Sequence, residues 1–194
     1  MASVHCEILP VAWIGGRVLH LRRAIADLPK GACCPPTWWV ESPPGRHPSE
    51  VVTQALASEL GDGCEPPNAI VHSTSWRYDD SRLSLVLSFV VLFPRLRHPP
   101  TGFVLEPAEA LGWDPQTGTC DGRAILVSDV LLHGLRHFAL LRSCDPTIAA
   151  ALPDEWHAAL ARLSPLPAGL LDHHQPHAHP RARGQARLAS AAGP

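Results

Sequence analysis

The stretch Leu83–Phe93, reading LSLVLSFVVLF, constrains the fold more than any other part of the chain. It is broken only by Ser84 and Ser88, and it is too short to cross a bilayer as a helix, which takes roughly 20 residues. An apolar run of this length between turn signals is expected to be a central strand covered on both faces. A chain that contains such a strand must supply helices or a second sheet for each side of it.

The neighbouring segments supply the rest of a mixed α/β domain. Ile8–Ile14 and Arg17–Leu21 read as strands around Gly15-Gly16, and Ala69–Tyr78 pairs with the central run across Asp79-Asp80-Ser81. Thr37-Trp38-Trp39-Val40 is β-prone and stops at Ser42-Pro43-Pro44-Gly45. Adjacent strand residues point to opposite faces, so Trp38 and Trp39 separate: one is expected in the core, the other at a site mouth where it could stack on a ring. Trp76-Arg77-Tyr78 offers a second possible stacking surface.

A helix is well specified from Pro48 to Leu60. Proline suits the first turn, Glu50 complements the positive helix end, and Val52, Leu56 and Leu60 recur every four residues beside Val51 and Ala55. Gly61 is placed to end it. Pro94–Arg123 reads as a long proline-rich connection, with a short strand at Gly102–Leu105 and a helical turn at Pro107–Leu111. Ala124–Arg142 reads as the longest helix, followed by a second helical region, Thr147–Leu163, broken at Pro153. From Ser164 onward periodicity is lost, and residues 164–194 read as a disordered His/Arg/Pro-rich tail.

Composition sets outer limits. The 194 residues suit one domain, here residues 1–163, followed by that tail. A net charge of −2 and a pI near 6.6 give no general attraction to nucleic acid or anionic membranes, so neither is an expected partner. Arginine supplies every basic residue but Lys30, which fits a GC-rich coding bias. The six cysteines form no C-x-x-C pair, the N-terminus lacks a signal-peptide pattern, and reduced thiols in the cytoplasm are the expected state.

The order strand, Trp-bearing strand, Pro/Gly loop, amphipathic helix, β-hairpin resembles the Nudix hydrolases, with the local match running from Trp38 to Gly61. That family's signature, G-x5-E-x7-R-E-U-x-E-E-x-G-U, is a loop–helix–loop that holds Mg²⁺ against a diphosphate. Carboxylates one turn apart share a helix face and can present several oxygens to a hard cation, which then activates water. Registered on its closing glycine at Gly61, with Gly45 in the loop before the helix, the motif's apolar position falls on Leu56 and its last glutamate on Glu59. The remainder departs: the loop glutamate becomes Arg46, Arg-Glu becomes Gln54-Ala55, the first of the paired glutamates becomes Ser58, and the first glycine becomes Val40.

One carboxylate of four is a poor Mg²⁺ site. The resemblance therefore implies a Nudix-like mixed sheet sandwiched by helices, with a helical extension over 124–163 and a degenerate metal site. Its expected role is a non-hydrolytic binding or regulatory domain for a nucleotide or phosphorylated small molecule. The binding residues would be Trp38, Trp39 and Arg46, with Glu59 as the residual metal ligand and Mg²⁺ a cofactor only if hydrolysis persists. No catalytic residue follows from this reading. Two alternatives stay open: a pyrophosphohydrolase using Glu41, Asp62, Glu65 or Glu106, and a homodimeric scaffold working through the helix 124–142, whose apolar circumference demands several-sided burial or a partner.

Other constellations are weaker. Asp129, His133 and His137 form an i, i+4, i+8 stripe of metal-ligating types, but its ends lie about 12 Å apart along one helix. Only an adjacent pair could share an ion, aided by His72 or His98. His72, Ser73 and Asp79 match no nucleophile elbow. The tail's His173, His174, His177 and His179 could take up Zn²⁺ or Ni²⁺ adventitiously, and Arg181, Arg183 and Arg187 could touch nucleic acid weakly; a solvated tail is expected.

Overall fold

A computed structural model describes residues 3–23, 37–60, 69–96, 98–107 and 116–171. Asp62, Glu65, Gly61 (expected to end the first helix) and the His/Arg-rich segment 172–194 lie outside the described residues.

The central strand is where the apolar run requires it. β5 (Ser84–Phe93) lies between β1 (Ser3–Ile14), parallel to it, and β4 (Ile70–Asp79), antiparallel. β1 is longer than its apolar core suggests because β5 pairs with it from Ser3 to Ala12 along one edge. Its other edge is shared: β2 (Arg17–Arg23) pairs with the Val11–Ile14 half, and β3 (Trp38–Glu41) with the His5–Ile8 half. β6 (Phe103–Pro107) extends the sheet beyond β2, so Pro107 ends a strand instead of starting the helical turn expected there. Residues 108–111 of that turn lie outside the described residues. The turn between β1 and β2 places Gly15 and Gly16 at φ of 60° and 82°, a conformation that side chains with a Cβ resist.

Period-two alternation sorts the strands into two cores. Cys6, Ile8, Ala12, Phe89, Val91 and Phe93 face α1 (Pro48–Leu60), meeting Val52 and Leu56. Leu9, Val11, Val90 and Leu92 face α2 (Val127–Cys144), behind which α3 (Pro146–Ala151) and α4 (Asp154–Leu160) add Ile148, Trp156 and Leu160. Pro153 separates α3 from α4, as the sequence indicates.

Three expectations are corrected. The helix expected from Ala124 begins at Val127, because Arg123–Leu126 is strand β8, paired with β7 (Gln116–Cys120). The turn between them is Asp121-Gly122, both at positive φ (51° and 71°), as a two-residue hairpin requires. Second, of the two readings of α2's apolar circumference, burial by the chain itself is the one seen at Leu131 and Leu135, which are 6% and 8% exposed against their own core. Third, residues 164–171 are not a free tail. They run back along α2 and add β9 (Gly169–Leu170) parallel to the edge of β4, with Leu171 buried.

Candidate functional site

Trp38 and Trp39 part to opposite faces. Trp38 packs on the α1 side against Phe103, ring centroids 5.6 Å apart. Trp39 turns to the other side, where its Nε1 donates to Thr37 Oγ1 (2.9 Å) and the Arg82 guanidinium lies 4.1 Å from its ring centroid. One face of that indole is thus already engaged by a cation.

The loop after β3 turns at Pro43–Arg46, with Arg46 N–H donating to Pro43 O (3.2 Å) and Gly45 at φ 82°. The Glu50 and Val51 amides then donate to His47 O and start α1. Burial of Val51, Val52 and Leu56 fixes the helix against the sheet and turns Gln54, Ser58 and Glu59 toward β3. Between α1 and β3 lies an open cleft of about 410 Å³. Trp38, Trp39, Arg46 and Glu59, the residues expected from the sequence to form one site, all border it, together with Glu41, Gln54, Ala55 and Ser58. Arg46 is half exposed, 3.4 Å from Gln54 Oε1 and 3.8 Å from Glu50.

Glu41 and Glu59 are this cleft's two carboxylates, and among the described residues no three His, Cys, Asp or Glu side chains are grouped to hold a metal. Mg²⁺ requires near-octahedral oxygen ligation, and beside these two carboxylates the polar side chains that the described wall offers are Arg46, Gln54 and Ser58. Glu106, on β6, is not part of the cleft wall.

The α2 stripe resolves into separate tasks. Asp129 accepts the Leu126 N–H (3.0 Å) at the start of the helix. His133 is buried in the wall of a second cavity, about 520 Å³, between the β7–β8 turn, α2 and residues 166–171. His137 donates from Nδ1 to Leu166 O (3.2 Å) and lies beside His72, ring centroids 5.0 Å apart. His98 is exposed in the loop before β6.

The most charged interior feature was missed in the sequence. Glu7, on β1, is fully buried and accepts from Arg77 (2.7 Å) and Ser88 (2.9 Å) at one oxygen and from Thr37 (3.0 Å) and Thr117 at the other. Beside it, burial pushes the Asp79 carboxyl up, but hydrogen bonds from the Ser81 side chain, Arg82 and the Ser81 backbone outweigh this and hold it below the usual range. Gly118 is glycine because a Cβ there would come within 2.5 Å of Asp79 Oδ2. A glutamate inside the apolar start of β1 was the available signal, yet nothing local names partners 30, 70, 81 and 110 residues away. The network lies inside the fold and holds the β7–β8 hairpin and Thr37 onto the sheet. Among the described residues, neither buried thiol is poised as a nucleophile: burial pushes Cys6 to about 11, and burial, then Asp121 and Asp80, raise Cys120.

No protein-family profile and no curated protein matches this chain. Among solved structures it is similar to NrtR of Shewanella oneidensis, with a TM-score of 0.50 and 11% identity over 84% of this chain and 79% of that one. It is also matched to the Ap4A hydrolase of C. elegans, with a TM-score of 0.36 and 11% identity over 55% of this chain and 81% of that one. The likeness to NrtR is one of fold, and with the helix-covered mixed sheet it establishes a Nudix-like architecture.

Proposed function

We propose that this chain is a Nudix-like binding or regulatory domain that holds a nucleotide or a phosphorylated small molecule between α1 and β3 without hydrolysing it. The observation that carries this reading is the chemistry of the α1 wall. Gln54, Ala55 and Ser58 border the cleft where the resembling family places metal-ligating carboxylates or their neighbours. What remains suits recognition: the Arg46 guanidinium can take a phosphate in two parallel hydrogen bonds, Gln54 and Ser58 add neutral donors, and Trp38, on the α1 face, gives an apolar border.

The test uses the full chain with ADP-ribose, ATP and a nucleotide sugar in EDTA, read by thermal shift and calorimetry. A ligand at 100 times its Kd should add about 2.7 kcal/mol of stability, and Arg46→Ala should weaken binding severalfold. With Mg²⁺, no release of phosphate or nucleoside monophosphate is expected. The hydrolytic reading draws on one observation, that Glu41 and Glu59 border the same cleft. Mg²⁺-dependent turnover abolished by Glu59→Gln would establish it and refute ours.

A further inference from the structure

The segment Ser164–Leu171 carries no regular structure until its last residues, yet it is pinned at several points. Arg136 Nε donates to Ser164 O (3.0 Å), Leu166 N–H donates to Arg136 O (3.1 Å), and His137 Nδ1 donates to Leu166 O. Farther along, β9 pairs with Ser75 and Trp76, and Leu171, 2% exposed, donates its N–H to Trp76 O (3.0 Å). The strap walls the 520 Å³ cavity from Leu166 to Leu171. Its two ends are held differently. The Leu171 end is anchored by apolar burial, which pH does not alter. The Leu166 end hangs on three hydrogen bonds, one from a histidine.

We propose that this strap is a pH-sensitive cover of the cavity, latched at Leu166 by neutral His137 and loosened when that ring takes up a proton. A carbonyl can only accept, so the bond to Leu166 O requires the proton on Nδ1 and leaves Nε2 bare. Nε2 is buried and has no hydrogen-bond partner. A second proton would therefore place an N–H without an acceptor in the interior and a positive charge against the His72 ring. That arrangement is costly while the strap is closed and cheaper once water reaches the ring.

Among the described residues no carboxylate acts on the ring, and Asp121, which lines the cavity from the β7–β8 turn, is exposed. From β4, His72 faces the ring, Arg77 is committed to Glu7 and Asp79 to Arg82. On α2, the neighbouring turns carry His133 and Arg136. β5, α3 and the strap have no ionisable side chain. On α4, Asp154 and Glu155 are exposed and His157 engages Ala149 O (3.0 Å). Arg123 of β8 is exposed. Burial, and then the nearby His72, lower the proton affinity of His137 against the support of the Leu166 carbonyl. The open strap thus binds the proton more readily than the closed one. Closure is complete above the ordinary histidine value of about 6.5 and weakens as pH falls below it.

Amide exchange resolved by NMR on the full chain tests this, because Leu166, between Pro165 and Pro167, has the sole N–H in that short run. Corrected for intrinsic rates, protection at Leu166 should fall severalfold from pH 7.5 to pH 5.5, while Leu171 and the β1 and β5 amides keep theirs. His137→Gln retains a donor but cannot titrate, and should abolish the pH dependence. In the wild type, the His137 ring should show the Nδ1–H tautomer at pH 7.5. Unchanged protection at Leu166, a uniform loss across Leu171 and the sheet, a full pH response in His137→Gln, or an Nε2–H tautomer would each overturn the proposal.

Discussion

The two faces of the sheet are held by different kinds of contact. On one side α1 buries Val51, Val52 and Leu56 and leaves much of its remaining surface to solvent and the cleft. On the other, α2 buries nine residues, two of them histidines, and the same side of β1 sinks the Glu7–Arg77 pair completely. The contrast separates two uses of polar chemistry. Charge on the α1 side, at Glu41, Arg46 and Glu50, is exposed, whereas charge on the α2 side, at Glu7, Arg77 and Asp79, is buried and consumed in holding strands and hairpin together. Substitutions should therefore change binding on the first side and stability on the second.

The largest effect is expected at Glu7. Glu7→Gln leaves the Arg77 guanidinium buried without its counter-charge, and breaking one half of a buried pair costs about 3–5 kcal/mol. Chemical denaturation should show that loss. The double variant Glu7→Met/Arg77→Met should recover part of it, because an apolar pair of similar volume avoids burying a lone charge. Recovery stays partial, since Thr37, Thr117 and Ser88 lose the carboxylate they now donate to. A Glu7→Gln protein as stable as wild type would show that the α2 side does not depend on its charged network.

Next in size is Gly134, where α2 crosses the sheet. A Cβ built there overlaps Val90 and lies 3.2 Å from Thr74 Oγ1. Gly134→Val should force the helix away and cost about 1–3 kcal/mol, the usual price of overpacking. Gly134→Ala should cost less, because alanine regains up to about 1 kcal/mol of helix propensity. If valine is accommodated without loss, helix and sheet are less closely apposed than the core contacts require.

How much of this was legible follows the same division. α1 was readable to the residue because a half-buried helix keeps its periodicity, its first-turn proline and its acidic start. The opposite facing of Trp38 and Trp39 followed from strand geometry alone, and Trp38, Trp39, Arg46 and Glu59 line one cleft. The α2 side was read less well. Ala124–Leu126 runs without a break into the apolar helix, so the strand–helix junction is hidden; Leu126, at φ −96° and ψ 153°, is still extended. The Asp121-Gly122 turn was a usable signal, but the flanking Gln116–Cys120 lacks the apolar alternation that marks a strand. A helix buried on several sides by its own chain has the same pattern as one awaiting a partner. Glu7 and Arg77 meet through the β1–β5–β4 register, which local sequence cannot show. The strap was lost among prolines because little besides Leu171 ties it to the core by apolar contact.

The smallest stability effect is expected at Arg46, and its smallness is what sharpens the comparison. Arg46 and Glu50 are an exposed i, i+4 pair, 3.8 Å apart with side chains 48% and 66% accessible. Such pairs contribute about 0.3–0.5 kcal/mol. The orientation here is the weaker one, since a cation precedes the anion at the positive end of α1 and opposes the helix dipole. Arg46→Ala should therefore leave the denaturation midpoint nearly unmoved, by no more than about 0.5 kcal/mol, while nucleotide affinity falls. A loss of stability comparable to that of Glu7→Gln would mean that the α1 cleft is built as structure, and its role as a binding surface would have to be given up.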